Sequence, residues 1–129
     1  LPENVKAVIA DCGYSSPHEI IADVAKKKYH IPEFPVLPLL RLAARLDAGF
    51  DIDEISSVRS AANTGIPIFF AHGTADDFVP YEMGVKISSS CSSDHMLFSV
   101  PGAGHGQSFL VDREGYEREC MGFIGKYLK

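Results

Sequence analysis

No apolar run in the chain approaches the ~20 residues that a bilayer-spanning helix needs, so nothing in it reads as a membrane segment. Basic residues are scarce as well: 12 Lys and Arg stand against 17 Asp and Glu, a net charge of -5. Nucleic acids and anionic membranes require a basic patch, and this balance argues against both partners. Cysteine is sparse. Cys12, Cys91 and Cys120 are odd in number and lack metal-ligand spacing, which fits a reducing, cytoplasmic setting. No G-x-G-x-x-G occurs to bind a dinucleotide and no H-E-x-x-H to hold zinc, so neither a cofactor nor a metal is expected. The chain starts with Leu1 and not Met, so its first residues carry no information about a leader.

What is present is the composition of an ordinary globular domain, 46% apolar and 22% charged over 129 residues. The chain is organised around Ile66–Pro80, IPIFFAHGTADDFVP. Its apolar start does not alternate with polar residues, which is the signature of a strand buried on both faces of a parallel sheet. The run stops at His72-Gly73, where glycine permits a sharp turn. Asp76 and Asp77 come at once after it. An acid just past the carboxyl end of a buried parallel strand sits where open α/β sheets place their chemistry. Met96–Val100 is a second short buried strand, succeeded by a glycine-rich loop with His105 at its centre.

Taken in order, Val5–Ala10 is the first strand, ending in a turn at Asp11-Cys12-Gly13-Tyr14. Ser16-Pro17-His18-Glu19 is a capping box, with Ser16 as the cap, Pro17 at the first helical position and Glu19 reaching back. The apolar spacing of Ile20, Ile21, Val24 and Ala25 predicts a helix to about Lys28. Pro32, Pro35 and Pro38 break the pattern, and Leu39–Asp47 then reads as a helix ending at Gly49. Asp53 or Ser56 opens another helix to about Asn63. Tyr81–Ser89 is a short helix, and Ser88–Ser93 its frayed end and a loop. Asp112 caps a last helix with Tyr116, Cys120, Phe123, Ile124, Tyr127 and Leu128 on one face. This order predicts an α/β fold: three consecutive parallel strands with crossover helices in a three-layer sandwich.

The motifs HGTADDFVP and VPGAGHGQSF resemble the acid and histidine motifs of the α/β-hydrolase superfamily. They are most similar to bacterial serine hydrolases related to prolyl-oligopeptidase-like peptidases and carboxylesterases. The resemblance covers nearly the whole chain but only the C-terminal part of such an enzyme. In that family the triad runs Ser, Asp or Glu, then His, with the serine in a G-x-S-x-G elbow. No G-x-S-x-G occurs here. The resemblance therefore implies that residues 1–129 are the C-terminal part of a single domain whose nucleophile lies upstream. It implies Asp76 as the acid, Asp77 as the alternative, and His105 as the base. It also implies a small ester or peptide-like substrate for the parent and an inactive fragment. An insertion over about residues 30–55 is either a lid over the site or a crossover covering the sheet.

Other candidate nucleophiles have plainer readings. Ser16 reads as a helix cap, and Ser15 sits in no elbow. Ser108 reads as a helix-start or loop residue. Cys12 comes after a strand but lacks the preceding elbow glycine, Ala10 standing in its place, and reads as structural. His72 ends a strand and is expected to bind backbone groups, whereas His18, His30 and His95 read as solvent-facing. A missing neighbour strand would leave Val5–Ala10 with an open edge, a template for a homodimer. The reading from a different class is a stand-alone α/β interaction module in which the motifs are relics.

Overall fold

The three strands expected from the sequence are present, in the expected order, in the computed structural model, which describes residues 4–128. β1 is Val8–Asp11, β2 Ile68–Gly73 and β3 His95–Val100. They form one parallel sheet in the order β1-β2-β3. Val8 pairs with Ile68 and Asp11 with Ala71, while Ile68 pairs with His95 and Gly73 with Val100. Strand ends differ from the sequence reading by a few residues, and Asp11 belongs to β1, not to the turn after it.

The central strand explains the layers. Phe69 and Phe70 are both buried and point to opposite faces, because side chains alternate along a strand. On one face Phe69 and Ala71 pack against Cys120 and Phe123 of α6, Arg113–Ile124. On the other, Phe70 packs against Ala61 of α3, Ser57–Ala62, and Ile87 of α4, Tyr81–Ser90. The sandwich is thus a partial α/β-hydrolase fold. The starts of α3 and α6 are capped by side chains that the sequence offered. Ser56 Oγ accepts from the Arg59 amide and Asp112 Oδ1 from the Gly115 amide. Leu128, expected on the apolar face of the last helix, is exposed instead.

α1, Pro17–Tyr29, starts as expected, with Ser16 Oγ accepting from the Glu19 amide at 3.2 Å. Half of the capping box is not made, because the Glu19 carboxylate is held by Ser15 Oγ and Lys86 Nζ. α2, Glu33–Ala43, begins earlier than the prolines suggested. Phe34 is extended inside it, so Pro35 falls at the first regular helical position, where an N–H would have no intrahelical partner, while Pro38 lies inside the helix. A π-helical turn, Ala44–Ala48, completes it. Leu39, Leu42 and Leu46 are exposed and do not pack on the sheet.

Charge ties this segment down. Arg41 donates through Nε and Nη2 to the buried Asp51 carboxylate and pairs through Nη1 with Asp53 at 2.7 Å. Arg45 joins on Asp51. Asp53 also bonds His18 Nδ1 on α1 at 2.7 Å, so His18 is partnered and not simply solvent-facing. The arginines hold the Asp51 carboxyl well below the usual carboxylate range. Among the described residues no helix is long and apolar enough to cross a membrane.

β1 is an edge strand, and Ile9 on it is exposed. An unpaired edge recruits another chain. The isolated chain should therefore self-associate, and light scattering should give an apparent mass that rises with concentration. A constant monomer mass would mean that the edge is blocked.

Candidate active site

Two loops at the carboxyl edge of the sheet build the site, one after β2 and one after β3. They are zipped together by backbone. The Thr74 amide donates to the Val100 carbonyl and the Ala75 amide to the Ala103 carbonyl, each at 3.0 Å, and Thr74 Oγ1 accepts from the Gly102 amide at 3.0 Å. Gly73 makes this possible by close approach. A Cβ on Gly73 would stand 2.1 Å from the Ala103 carbonyl oxygen, an impossible contact. Its role is clearance between two loops, and the sharp turn expected there is not what demands a glycine.

Asp76 sits at the centre. Its carboxylate is buried, and a buried charge needs bonded partners. Oδ1 accepts from the Phe78 and Val79 amides at 3.0 and 2.8 Å. Oδ2 lies 2.9 Å from His105 Nδ1. Burial pushes the Asp76 carboxyl up, but the Val79 amide, His105 and the Phe78 amide together bring it below its ordinary value. The carboxylate accepts, so Nδ1 carries the proton. Nε2 is left as the second nitrogen of a half-exposed ring. Phe78 packs edge-on against that ring, with centroids 5.0 Å apart. Gly106, with φ 66°, takes the left-handed turn that brings the chain out of the loop. Asp77, the alternative acid, is exposed.

His72 is buried under the acid loop. Its Nε2 bonds the Val79 carbonyl at 2.9 Å, a backbone partner as expected, and lies 3.4 Å from Asp76 Oδ2. Gly84 of α4 gives the ring room, since a Cβ there would meet Nδ1 at 2.3 Å. His95 bonds the Ser93 carbonyl and is exposed, and His30 ends α1 in the open.

Cys12 has more to do than the sequence suggested. It stands just past β1 with φ 52°, a conformation side chains other than glycine seldom adopt. Its Sγ accepts from the Gly106 amide at 3.1 Å, fixing the His105 loop from the first strand. Burial pushes its thiol up to about 11, so it is not a thiolate at neutral pH and is a poor nucleophile. Cys12, Asp76 and His105 each present a ligand-type atom within 4.8 Å of the others, a grouping that sequence spacing could not reveal. Ser15 is buried and donates to Glu19 Oε2 at 2.6 Å. Ser108 is fully buried at the start of α5, Ser108–Val111, and its hydroxyl lacks a partner among the described residues.

No family model matches the chain. It is 23% identical over 116 residues to the uncharacterised protein YqkD of Bacillus subtilis, a match taking in 90% of this chain and 38% of that protein. The chain thus spans well under half the length of that relative. Among solved structures it is similar to an acylaminoacyl peptidase of Pyrococcus horikoshii, with TM-score 0.67 and 18% identity over 99% of this chain and 21% of that one. An esterase of Pyrococcus furiosus superposes with TM-score 0.56 and 16% identity, over 95% of this chain and 45% of its own. A puromycin-hydrolysing peptidase of Mycobacterium tuberculosis gives TM-score 0.59 and 20% identity, over 95% and 18%. At these identities the likeness is one of fold.

The loop contact and the buried acid can each be tested by stability. Gly73→Val should part the two loops and lower stability by about 2–4 kcal/mol, the usual cost of overpacking or a lost buried network, read from the urea midpoint. Asp76 has a depressed carboxyl in the folded state, so its contribution is complete above the ordinary Asp value of about 4 and fades as pH falls below it. The stability gap between the native chain and Asp76→Asn should accordingly narrow on acidification below about pH 4, measured by urea denaturation at each pH.

Proposed function

We propose that this chain, with its partial α/β-hydrolase fold, supplies the acid and base of a Ser-Asp-His triad in a hydrolase of ester or peptide-like acyl bonds. Asp76 is the acid and His105 the base. The serine and its oxyanion donors come from sequence outside these 129 residues. The observation that carries this reading is the 2.9 Å contact between His105 Nδ1 and the buried Asp76 carboxylate.

That bond dictates the chemistry. A serine hydroxyl is a weak nucleophile until a base takes its proton. His105 would take it on Nε2 and later return it to the leaving group. Asp76 holds the ring in the tautomer that leaves Nε2 able to accept, and stabilises the imidazolium while it lasts. Cys12 and Phe78 position the His105 loop and ring. The names of the structural neighbours, esterases and peptidases, support acyl-bond hydrolysis as the reaction class. Residues 30–55 are proposed as part of a lid, on the ground that Leu39, Leu42 and Leu46 turn away from the sheet.

The test uses a protein that contains this chain together with its upstream sequence, assayed on p-nitrophenyl butyrate. His105→Ala should lower kcat by about five to six orders of magnitude, and Asp76→Asn by about four. The isolated chain should show no turnover. If both variants keep turnover within about tenfold of the parent, the acid–base reading is wrong and the interaction module takes its place.

A further inference from the structure

One donor follows each of the three strands, and the three donors meet. Cys12 Sγ, an Asp76 carboxylate oxygen and a ring nitrogen of His105 all lie within 4.8 Å of one another. Among the described residues this is the one such grouping. A thiol, a carboxylate and an imidazole are together the ligand types of zinc and its neighbours, whereas magnesium and calcium take oxygen alone. At zinc's bond lengths, about 2.0–2.3 Å, two tetrahedral donors stand roughly 3.3–3.7 Å apart. The Asp76 Oδ2–His105 Nδ1 pair, at 2.9 Å, has to open slightly. The widest pair has to close by about 1 Å at most. His105 has the freedom for both, since its side chain is 42% exposed on a loop.

The surroundings also suit a cation. The Gly106 amide donates to Cys12 Sγ at 3.1 Å, and such outer hydrogen bonds steady a coordinated thiolate. Asp76 Oδ1 is fixed by the Phe78 and Val79 amides, which orients the carboxylate as outer partners orient metal ligands. Thiolate and carboxylate together neutralise a divalent ion. A second carboxylate oxygen, Asp11 Oδ1, lies 3.1 Å from the same sulfur. Among the described residues no Lys or Arg lines the cleft of ≈ 870 Å³ that Cys12 and His105 border, so the way in is open to a cation.

We infer that Cys12, Asp76 and His105 bind a zinc ion, and that zinc held there switches the site off. Coordination exchanges the thiol proton for the ion and releases one H+ to solvent. An ion on Nδ1 sends the ring proton to Nε2, and an ion on Nε2 takes that nitrogen itself. Either way the ring keeps no lone pair for the proton of a serine hydroxyl. The switch rests on the reading of His105 as the base. The binding itself does not.

The experiment titrates the 129-residue chain with cobalt(II), a spectroscopic stand-in for zinc. One equivalent should bind with a thiolate-to-cobalt charge-transfer band in the near ultraviolet. Zinc should displace it, and magnesium in about a hundredfold excess should not. Cys12→Ser should abolish the band, while Cys91→Ser and Cys120→Ser keep it. His105→Ala should weaken binding at least tenfold. Where a variant fails to fold, NMR of the native chain decides: zinc should shift the Cys12 Cβ carbon and the His105 ring, and leave Cys91, His18, His30 and His95 in place. No saturation at one equivalent, a band that survives in Cys12→Ser, or shifts centred on another cysteine or histidine would overturn the inference. In a protein that carries the upstream sequence, zinc should lower turnover of p-nitrophenyl butyrate at least tenfold, and EDTA should restore it. Full turnover with zinc bound, in an enzyme that His105→Ala inactivates, overturns the switch. Unimpaired turnover in His105→Ala removes the catalytic reading alone and leaves the zinc site standing.

Discussion

The closeness of Gly73 to Ala103 is the constraint on which the site depends. Two loops leave adjacent parallel strands, and parallel neighbours lie about 4.8 Å apart. To share their hydrogen bonds the loops must come nearer than ordinary side chains permit. A missing Cβ at one position allows it, and the geometry of the site is its consequence. With the Ala75 amide bonded to the Ala103 carbonyl, Asp76 and His105 face each other across a short gap. The Asp76 carboxylate is then enclosed by the turn it caps, with Phe78 and Val79 amides on one oxygen and the imidazole near the other. A paired acid and imidazole depend on rigid placement more than on many residues.

The parts visible in the sequence were those with local causes. β2 announced itself because Phe69 and Phe70 are adjacent, which a strand buried on both faces tolerates. Ser16, Ser56 and Asp112 announced helix starts because a cap bonds an amide two or three residues ahead. Asp76 and His105 were legible through position after a strand and through motif. The hidden parts needed distant partners. Cys12 meets Gly106 across 94 residues, and His18 meets Asp53 across 35. No local spacing carries such information. The prolines misled for another reason: they mark a boundary without saying on which side the helix lies, and here they sit just inside it. Glu19 was drawn from the box it was expected to close by Lys86, a cation that lies far along the chain, and by Ser15.

Cys12 illustrates how a residue can matter without reacting. Its backbone lies in a region that costs of order 1–3 kcal/mol for a non-glycine residue, and it persists because neighbours on both sides hold it. The amide of Cys12 bonds the Ala71 carbonyl and its sulfur receives the Gly106 amide. All three strand ends are thereby joined in one bonded chain, β1 to the His105 loop and that loop to the acid loop.

The ionic tie of Arg41 and Arg45 to Asp51 and Asp53 has a consequence for how the molecule comes apart. α2 buries only Leu37, and α1 buries nothing, so little apolar contact holds this pair of helices to the body. Their attachment is governed by dissolved ions, which screen charges beyond about 8 Å in physiological salt and act most on groups open to water. Asp51 is shielded from that effect, while the Glu19–Lys86 pair that joins α1 to α4, about half exposed on both sides, is open to it. The α1–α2 pair is therefore a flap with a salt-tolerant pin and a salt-sensitive latch. Heat dismantles the sheet, and brine slackens the flap first.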